Sequence, residues 1–153
     1  MHTKILMVCL GNICRSPLAE GILRSKVDKS KVTVDSAATS NWHIGKTPDP
    51  RSISIAKEFG VDISTLIVRQ FTVQDFEDFD IIFVMDESNY KDVISLSRDD
   101  KDTKKVNKIL DSLQDGNNLD VPDPYYGEKD GFLEVYKKLE EAIEVIIREL
   151  KLA

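Results

Sequence analysis

Ile5-Leu6-Met7-Val8-Cys9-Leu10-Gly11-Asn12-Ile13-Cys14-Arg15-Ser16-Pro17 is the stretch from which the rest of the chain can be read. Its first six residues are an unbroken apolar run, the pattern of a strand covered on both faces in a parallel sheet. Gly11 ends the run abruptly. Ser16-Pro17 reads as a helix N-cap followed by proline at the first helical position, and Leu18, Ala19, Ile22 and Leu23 then recur at helical spacing. The unit is strand, loop, helix.

The same alternation continues outward. Val32 to Ala37 reads as a second strand, Thr39 to Pro48 as a loop, and Asp49-Pro50 as the start of a helix whose Ile53, Ala56 and Phe59 precede a stop at Gly60. Thr72 with Asp75 marks a short helix, Ile81 to Met85 a buried strand, and Asp86 the cap of a helix carrying Tyr90, Val93 and Ile94. Ser97 to Lys105 reads as a charged surface connection, Val106 to Leu110 as a weak strand, and Gln114 to Asp130 as a long polar loop. The last helix has the clearest periodicity, with Phe132, Tyr136, Leu139, Ile143, Ile146 and Leu150 in one apolar stripe. No repeat, linker or low-complexity tract divides the chain, so residues 1–153 are expected to form a single doubly wound α/β domain. In that architecture ligands bind beyond the carboxyl ends of the strands, where Cys9 to Ser16 would sit.

Composition narrows the function. The 153 residues carry 21 basic and 27 acidic side chains, a net charge of -6, which offers no overall attraction to phosphate backbones or anionic lipid. Neither nucleic acid nor membrane is expected as a partner. The apolar run Ile5 to Leu10 is too short for a signal segment or a membrane span, so a soluble, cytoplasmic protein is expected. The two cysteines, Cys9 and Cys14, share one short loop and the two histidines, His2 and His43, match no metal-ligand spacing. Reactivity explains such cysteines better than a structural bridge does, and no metal or other cofactor is expected.

Cys9 and Arg15 stand with five residues between them, after a buried strand and before a helix start. Amide groups of such a loop can converge on one anion, the helix N-terminus adds its positive end, and Arg15 offers a bidentate fork that fits phosphate. The same field favours the thiolate of Cys9, the form that acts as nucleophile. Ser16 can donate its hydroxyl to that sulfur as well as cap the helix. A phosphoryl transfer to sulfur also needs a general acid at the leaving oxygen. Asp123, in Val121-Pro122-Asp123-Pro124-Tyr125-Tyr126-Gly127, is the candidate, with a solvated turn aspartate as its ordinary alternative; Tyr125 and Tyr126 could line an aromatic slot.

These residues resemble the low-molecular-weight protein tyrosine phosphatases. The likeness runs through Val8 to Pro17, Asp35-Ser36-Ala37-Ala38-Thr39-Ser40, Pro48-Asp49-Pro50-Arg51, Arg69-Gln70-Phe71, Met85-Asp86-Glu87-Ser88-Asn89 and Asp123-Pro124-Tyr125-Tyr126. It implies a four-stranded parallel sheet flanked by helices and hydrolysis of phosphotyrosine and small aryl phosphates through a phosphocysteine. Cys9 would attack, Arg15 and the loop amides would hold the phosphoryl oxygens, and Asp123 would protonate the leaving phenolate and then activate water. Leu10, Gly11, Asn12, Ile13, Cys14 and Ser16, with Trp42 and Tyr125, would bind the substrate, a tyrosine-phosphorylated protein met by a monomer. Asn12 and Ser36 would brace the loop. Trp42 resembles the aromatic wall of the slot, its alternative being a partly buried loop anchor.

The chain departs from the family where many members read Ser-His-x-Ala-Arg-Gln and this one reads Thr65-Leu66-Ile67-Val68-Arg69-Gln70. Leu66 cannot hydrogen-bond, so the brace must be smaller or completed by another group, His43 being one candidate. Arsenate reductases of this fold pass oxidation to further cysteines, and here only Cys14 is at hand. Cys14 is instead expected as a redox partner that protects Cys9 as a disulfide. Protein-arginine phosphatases of the family carry threonine where this loop has Ile13, and an apolar side chain there favours an aryl phosphate. A non-enzymatic oxyanion- or phosphotyrosine-binding module would keep Arg15 yet could dispense with Cys9 or Asp123, and both are present. A nucleotide-binding domain lacks support in any glycine-rich phosphate motif.

Overall fold

The computed structural model describes residues 2–113, 119–126 and 129–153. Four strands, β1 (Thr3–Cys9), β2 (Val32–Ala38), β3 (Ile81–Val84) and β4 (Val106–Lys108), form a parallel sheet in the order β2-β1-β3-β4. Between and after them run α1 (Arg15–Lys26), α2 (Pro50–Glu58), α3 (Asp75–Asp78), α4 (Glu87–Ile94), α5 (Asp100–Lys104) and α6 (Lys129–Leu150).

The unbroken apolar run of β1 follows from its place. Ile5, Leu6, Met7 and Val8 are paired on both edges and have no exposed surface. Side chains alternate across a strand, so Ile5, Met7 and Cys9 join the core under α1, α2 and α6, while Leu6 and Val8 join Phe71, Phe76, Phe79 and Val93 on the other face. Each such side chain contributes about 1.5–3 kcal/mol by leaving water. On the α6 side, Gly21 lets α1 lie against the segment 61–63: a Cβ there would collide with the Ile63 Cγ2 methyl and stand 2.9 Å from Val61 Cγ1.

Several element boundaries differ from the sequence reading. Helix α1 begins at Arg15, and Ser16 is no cap, because its hydroxyl is engaged by Cys9 and Asn12. The Ser97 to Lys105 connection contains α5, capped by Asp99, whose side chain accepts from the Asp102 amide, and fastened by the buried Asp102 on Arg98. The fourth strand stops at Lys108, and Ile109–Leu113 is a 3₁₀ helix that buries Ile109 and Leu110. Of the Gln114 to Asp130 loop, residues 114–118 and 127–128 lie outside the described residues; Pro124–Tyr126 is a 3₁₀ turn, and α6 takes in Lys129 and Asp130 ahead of the buried Phe132. Leu150, the last residue of α6 and of the apolar stripe, is exposed, while Leu152 beyond it is buried in the core.

The neighbours β1 and β3 carry their chains away from the sheet at the same end, as Cys9 and as Met85-Asp86. That end is where the chemistry-bearing residues collect.

Candidate active site

The loop after β1 is tied down by its backbone. Thr39 N–H donates to Cys9 O at 2.9 Å, Ser40 N–H to Leu10 O at 3.0 Å, and Asp49 N–H to Ile13 O at 2.8 Å. It therefore hangs between the ends of β1 and β2 and the start of α2. Asp49 caps α2, accepting from the Arg51 amide, and Pro50 takes the first helical position, as its missing N–H suits.

Cys9 Sγ lies at the floor, 3.0 Å from Ser16 Oγ and 3.2 Å from the Asn12 amide that donates to it. Asn12 holds a left-handed backbone at φ 55, a conformation asparagine tolerates better than most residues. Its side chain is pinned from several directions: Nδ2 donates to Ser16 Oγ at 2.7 Å and to Ser36 Oγ at 2.9 Å, while Oδ1 accepts from the Arg69 amide at 3.4 Å. Ser36 in turn donates to Glu20 Oε1 at 2.7 Å, and Glu20 also pairs with Arg24.

The direction of these bonds is determined by their far end. An ionised carboxylate only accepts, so Ser36 gives its proton to Glu20 and must accept from Asn12. The amide then points its nitrogen at Ser16, which accepts and keeps its own proton for Cys9. A chain of four side chains thus aims a hydroxyl donor at the sulfur. Glu20 is buried, and burial, its largest influence, raises its pKa, with Asp35 adding to the effect and Ser36 and Arg24 opposing it. The brace that the missing histidine left open is closed by Glu20 and the Arg69 amide. Leu66 packs on the core, and His43 stands in the cavity wall rather than in this network.

Arg15 is fully enclosed. One terminal nitrogen donates to Asp86 Oδ2 at 2.6 Å and to Val121 O at 3.0 Å, and the other stands 3.6 Å from Asp123 Oδ2. Burial opposes its charge, but the Cys9 sulfur, Asp86 and Asp123 outweigh burial and hold the pKa above its ordinary value. Asp86 divides its oxygens, Oδ1 capping α4 through the Asn89 amide and Oδ2 gripping Arg15. The segment carrying Asp123 is anchored at both ends: Val121 N–H donates to Met85 O at 2.8 Å, and Arg51 Nη2 donates to Tyr125 O at 2.9 Å. Asp123 Oδ1 itself accepts from the Tyr125 amide at 3.0 Å.

Above the sulfur opens a cavity of about 220 Å³ lined by Cys9, Leu10, Gly11, Ile13, Cys14 and Arg15 from the loop and by Trp42, His43, Asp123 and Tyr125 from the rim. An enclosed apolar cavity of about 150 Å³ admits benzene, so this one has room for an aryl ring and the group it bears. Asn12 and Ser16 do not line it; both lie behind the sulfur, where their side chains are spent on the brace. Trp42 is 62% exposed, so it is a free-standing wall and not a partly buried anchor. Cys14 lies buried beside the sulfur, and burial first, then the charge of Asp49, pushes its thiol up to about 12. Among the described residues no cluster of three or more His, Cys, Asp or Glu side chains is placed to hold a metal ion.

Two participants, Glu20 and Arg51, have no role assigned from sequence, while Asp86 is read there only as a helix cap and His43 only as a candidate for the brace. A signal existed for Glu20, a lone carboxylate inside the apolar run Leu18-Ala19-Glu20-Gly21-Ile22-Leu23, because a charge on a helix buried all round needs a partner.

A sequence profile of the low molecular weight phosphotyrosine protein phosphatases matches residues 4–153. The human low molecular weight phosphotyrosine protein phosphatase is 43% identical over 139 residues, covering 88% of this chain and 87% of that protein. The Bacillus subtilis low molecular weight protein-tyrosine-phosphatase YfkJ is 40% identical over 127 residues, covering 80% of this chain and 81% of that protein. The crystal structure of YfkJ superposes with a TM-score of 0.91 over 99% of this chain and 96% of that one, at 35% identity. An Entamoeba histolytica protein tyrosine phosphatase with Hepes in its active site superposes with a TM-score of 0.90 at 37% identity, covering 97% of each chain.

Proposed function

Because this chain belongs to the low molecular weight phosphotyrosine protein phosphatase family, we propose that it hydrolyses phosphotyrosine and small aryl phosphates through a phosphocysteine intermediate. One observation carries the mechanism: the Cys9 sulfur, with Ser16 and the Asn12 amide donating to it, opens into the same cavity as Arg15 and Asp123. The thiolate attacks phosphorus in line as the phosphorus–oxygen ester bond breaks. Asp123, as general acid, gives a proton to the departing phenolate. Its carboxylate then takes a proton from water as that water attacks phosphorus, the sulfur–phosphorus bond breaks, and inorganic phosphate leaves with the thiolate restored. Arg15 and the loop amides neutralise the charge spread over the non-bridging oxygens throughout. Asp86 grips one Arg15 nitrogen, which orients the planar fork towards those oxygens.

Ile13 in the wall presents an apolar surface to an aryl ring and favours it over a phosphorylated guanidinium. The reading extends to Cys14 as redox partner, since it lies buried next to Cys9 and both thiols are free. It extends also to a monomer working in the cytoplasm on tyrosine-phosphorylated protein, without cofactor, nucleic acid or membrane. The net charge of -6 supports the exclusion of anionic partners.

Cys9→Ser and Asp123→Ala test the roles. Cys9→Ser should lose turnover and keep vanadate binding, because the hydroxyl is not ionised at neutral pH while Arg15 and the amides remain. Asp123→Ala should lose roughly 10²–10⁴-fold on phosphotyrosine and less on p-nitrophenyl phosphate, whose leaving group needs little acid help. Turnover by Cys9→Ser, or equal losses on both esters in Asp123→Ala, would remove the corresponding role.

A further inference from the structure

A second groove leaves the mouth of the cavity. Ile13, His43 and Tyr125 line both, and the groove continues over Lys46, Pro48 and Asp49. A phosphotyrosine seated in the cavity holds its polypeptide at this rim, and a neighbouring residue that leaves over the shared walls Ile13, His43 and Tyr125 enters the groove. The charge found there is lopsided. The groove's carboxylate, Asp49, is already engaged by the Arg51 amide at 2.8 Å, by Nε at 3.0 Å and by Nη2 at 2.9 Å. The Lys46 ammonium has no carboxylate partner among the described residues, and its backbone is held in place: Lys46 N–H donates to His43 O at 3.0 Å and Lys46 O accepts from Val68 N–H at 2.8 Å.

We propose that this groove is a subsite for an acidic side chain, Asp or Glu, flanking the phosphotyrosine of the substrate polypeptide, with Lys46 as its cation. The inference rests on the phosphotyrosine reading and adds a sequence preference to it. The net charge of -6 does not oppose it at contact range, since charges more than about 8 Å away are screened at physiological salt and the local ammonium decides. The substrate carboxylate and the ammonium meet at a half-open rim, so the preference is modest, roughly two- to fivefold per acidic residue.

The test is kcat/KM on a matched set of short phosphotyrosine peptides in which each of the two residues on either side is in turn Glu, Ala or Lys. Wild type should favour Glu over Ala by roughly two- to fivefold at one or more of these positions and disfavour Lys. The preference should shrink at about 0.5 M salt, where the Debye length is only a few ångströms. Lys46→Glu should invert the order. Indifference to charge at every position, or a Glu preference that survives in Lys46→Glu, overturns the subsite. Wild-type turnover of p-nitrophenyl phosphate, measured alongside, separates the two levels: turnover with charge indifference removes the subsite alone, and no turnover of either the small ester or any peptide removes the phosphatase reading and the subsite with it.

Discussion

Replacing Glu20 by leucine should slow the chemistry of a sulfur that Glu20 never touches. The carboxylate is the acceptor that takes the Ser36 proton, and through Ser36 and Asn12 it leaves the Ser16 hydroxyl free to donate to Cys9. Without it, Ser36 can donate to a reversed Asn12 amide, Ser16 donates to the same amide oxygen, and the sulfur loses its hydroxyl donor. The contact of the Arg69 amide with Asn12 Oδ1, at 3.4 Å, is long and opposes that reversal only weakly. A hydrogen bond to a charged group contributes about 1.5–3 kcal/mol, which corresponds to a roughly 10- to 150-fold smaller thiolate population wherever the thiol is mostly protonated. Iodoacetamide capture of Cys9, read by mass spectrometry over a series of falling pH, should drop below wild type by up to that factor. Cys14 does not confuse the readout, because its thiol is pushed up to about 12. Stability is a separate matter: Arg24, the partner left behind, is 40% exposed and still donates to Val34 O, so its charge is not stranded in the core. Glu20→Gln retains a carbonyl that can accept the Ser36 proton and should lose less. An unchanged capture rate in a folded Glu20→Leu protein would refute the wiring.

Three further outcomes are expected. Peroxide should inactivate wild type reversibly, with dithiothreitol restoring turnover, whereas Cys14→Ser should recover poorly; peptide mass spectrometry should find Cys9 and Cys14 together two hydrogens lighter, and sulfinic Cys9 beside free Cys14 would refute the protective disulfide. Ile13→Thr should raise the ratio of phosphoarginine to phosphotyrosine activity, and a wild type that already prefers phosphoarginine would overturn the substrate assignment. Gly21→Ala should destabilise by about 1–3 kcal/mol, because its Cβ collides with Ile63 Cγ2 between two packed elements, and thermal melting should record a drop of roughly 2–12 °C.

The parts of the molecule that could be read from sequence are those whose signal is local. An apolar run covered on both faces, a glycine break and an amphipathic helix identify β1, its loop and α6, and the site loop comes with them because Cys9 and Arg15 are close in the chain. Helix α5 escapes that reading because Asp100-Lys101-Asp102-Thr103-Lys104 has no apolar face; it is organised by the Asp99 cap and the Arg98–Asp102 pair, a signal of hydrogen bonding rather than hydrophobic period. Ser16-Pro17 shows the opposite error, a good local cap signal overridden by a tertiary demand, since the sulfur and Asn12 take the hydroxyl that would have capped α1.

The same contrast explains which site residues were missed. Asp86 carries a true local signal as the cap of α4, and that signal hides its second task, because Arg15 lies 71 residues away and meets it only once β1 and β3 are neighbours. Arg51 is the second residue of α2, and its grip on the Tyr125 carbonyl spans 74 residues. Glu20 is different in kind. Its burial was foreseeable from its apolar surroundings, and burial obliges a carboxylate to find donors. Which donors it finds depends on β2 bringing Ser36 alongside α1. The direction in which the chain of protons then runs depends on which member can only accept, so it emerges from the assembled network and from no residue alone.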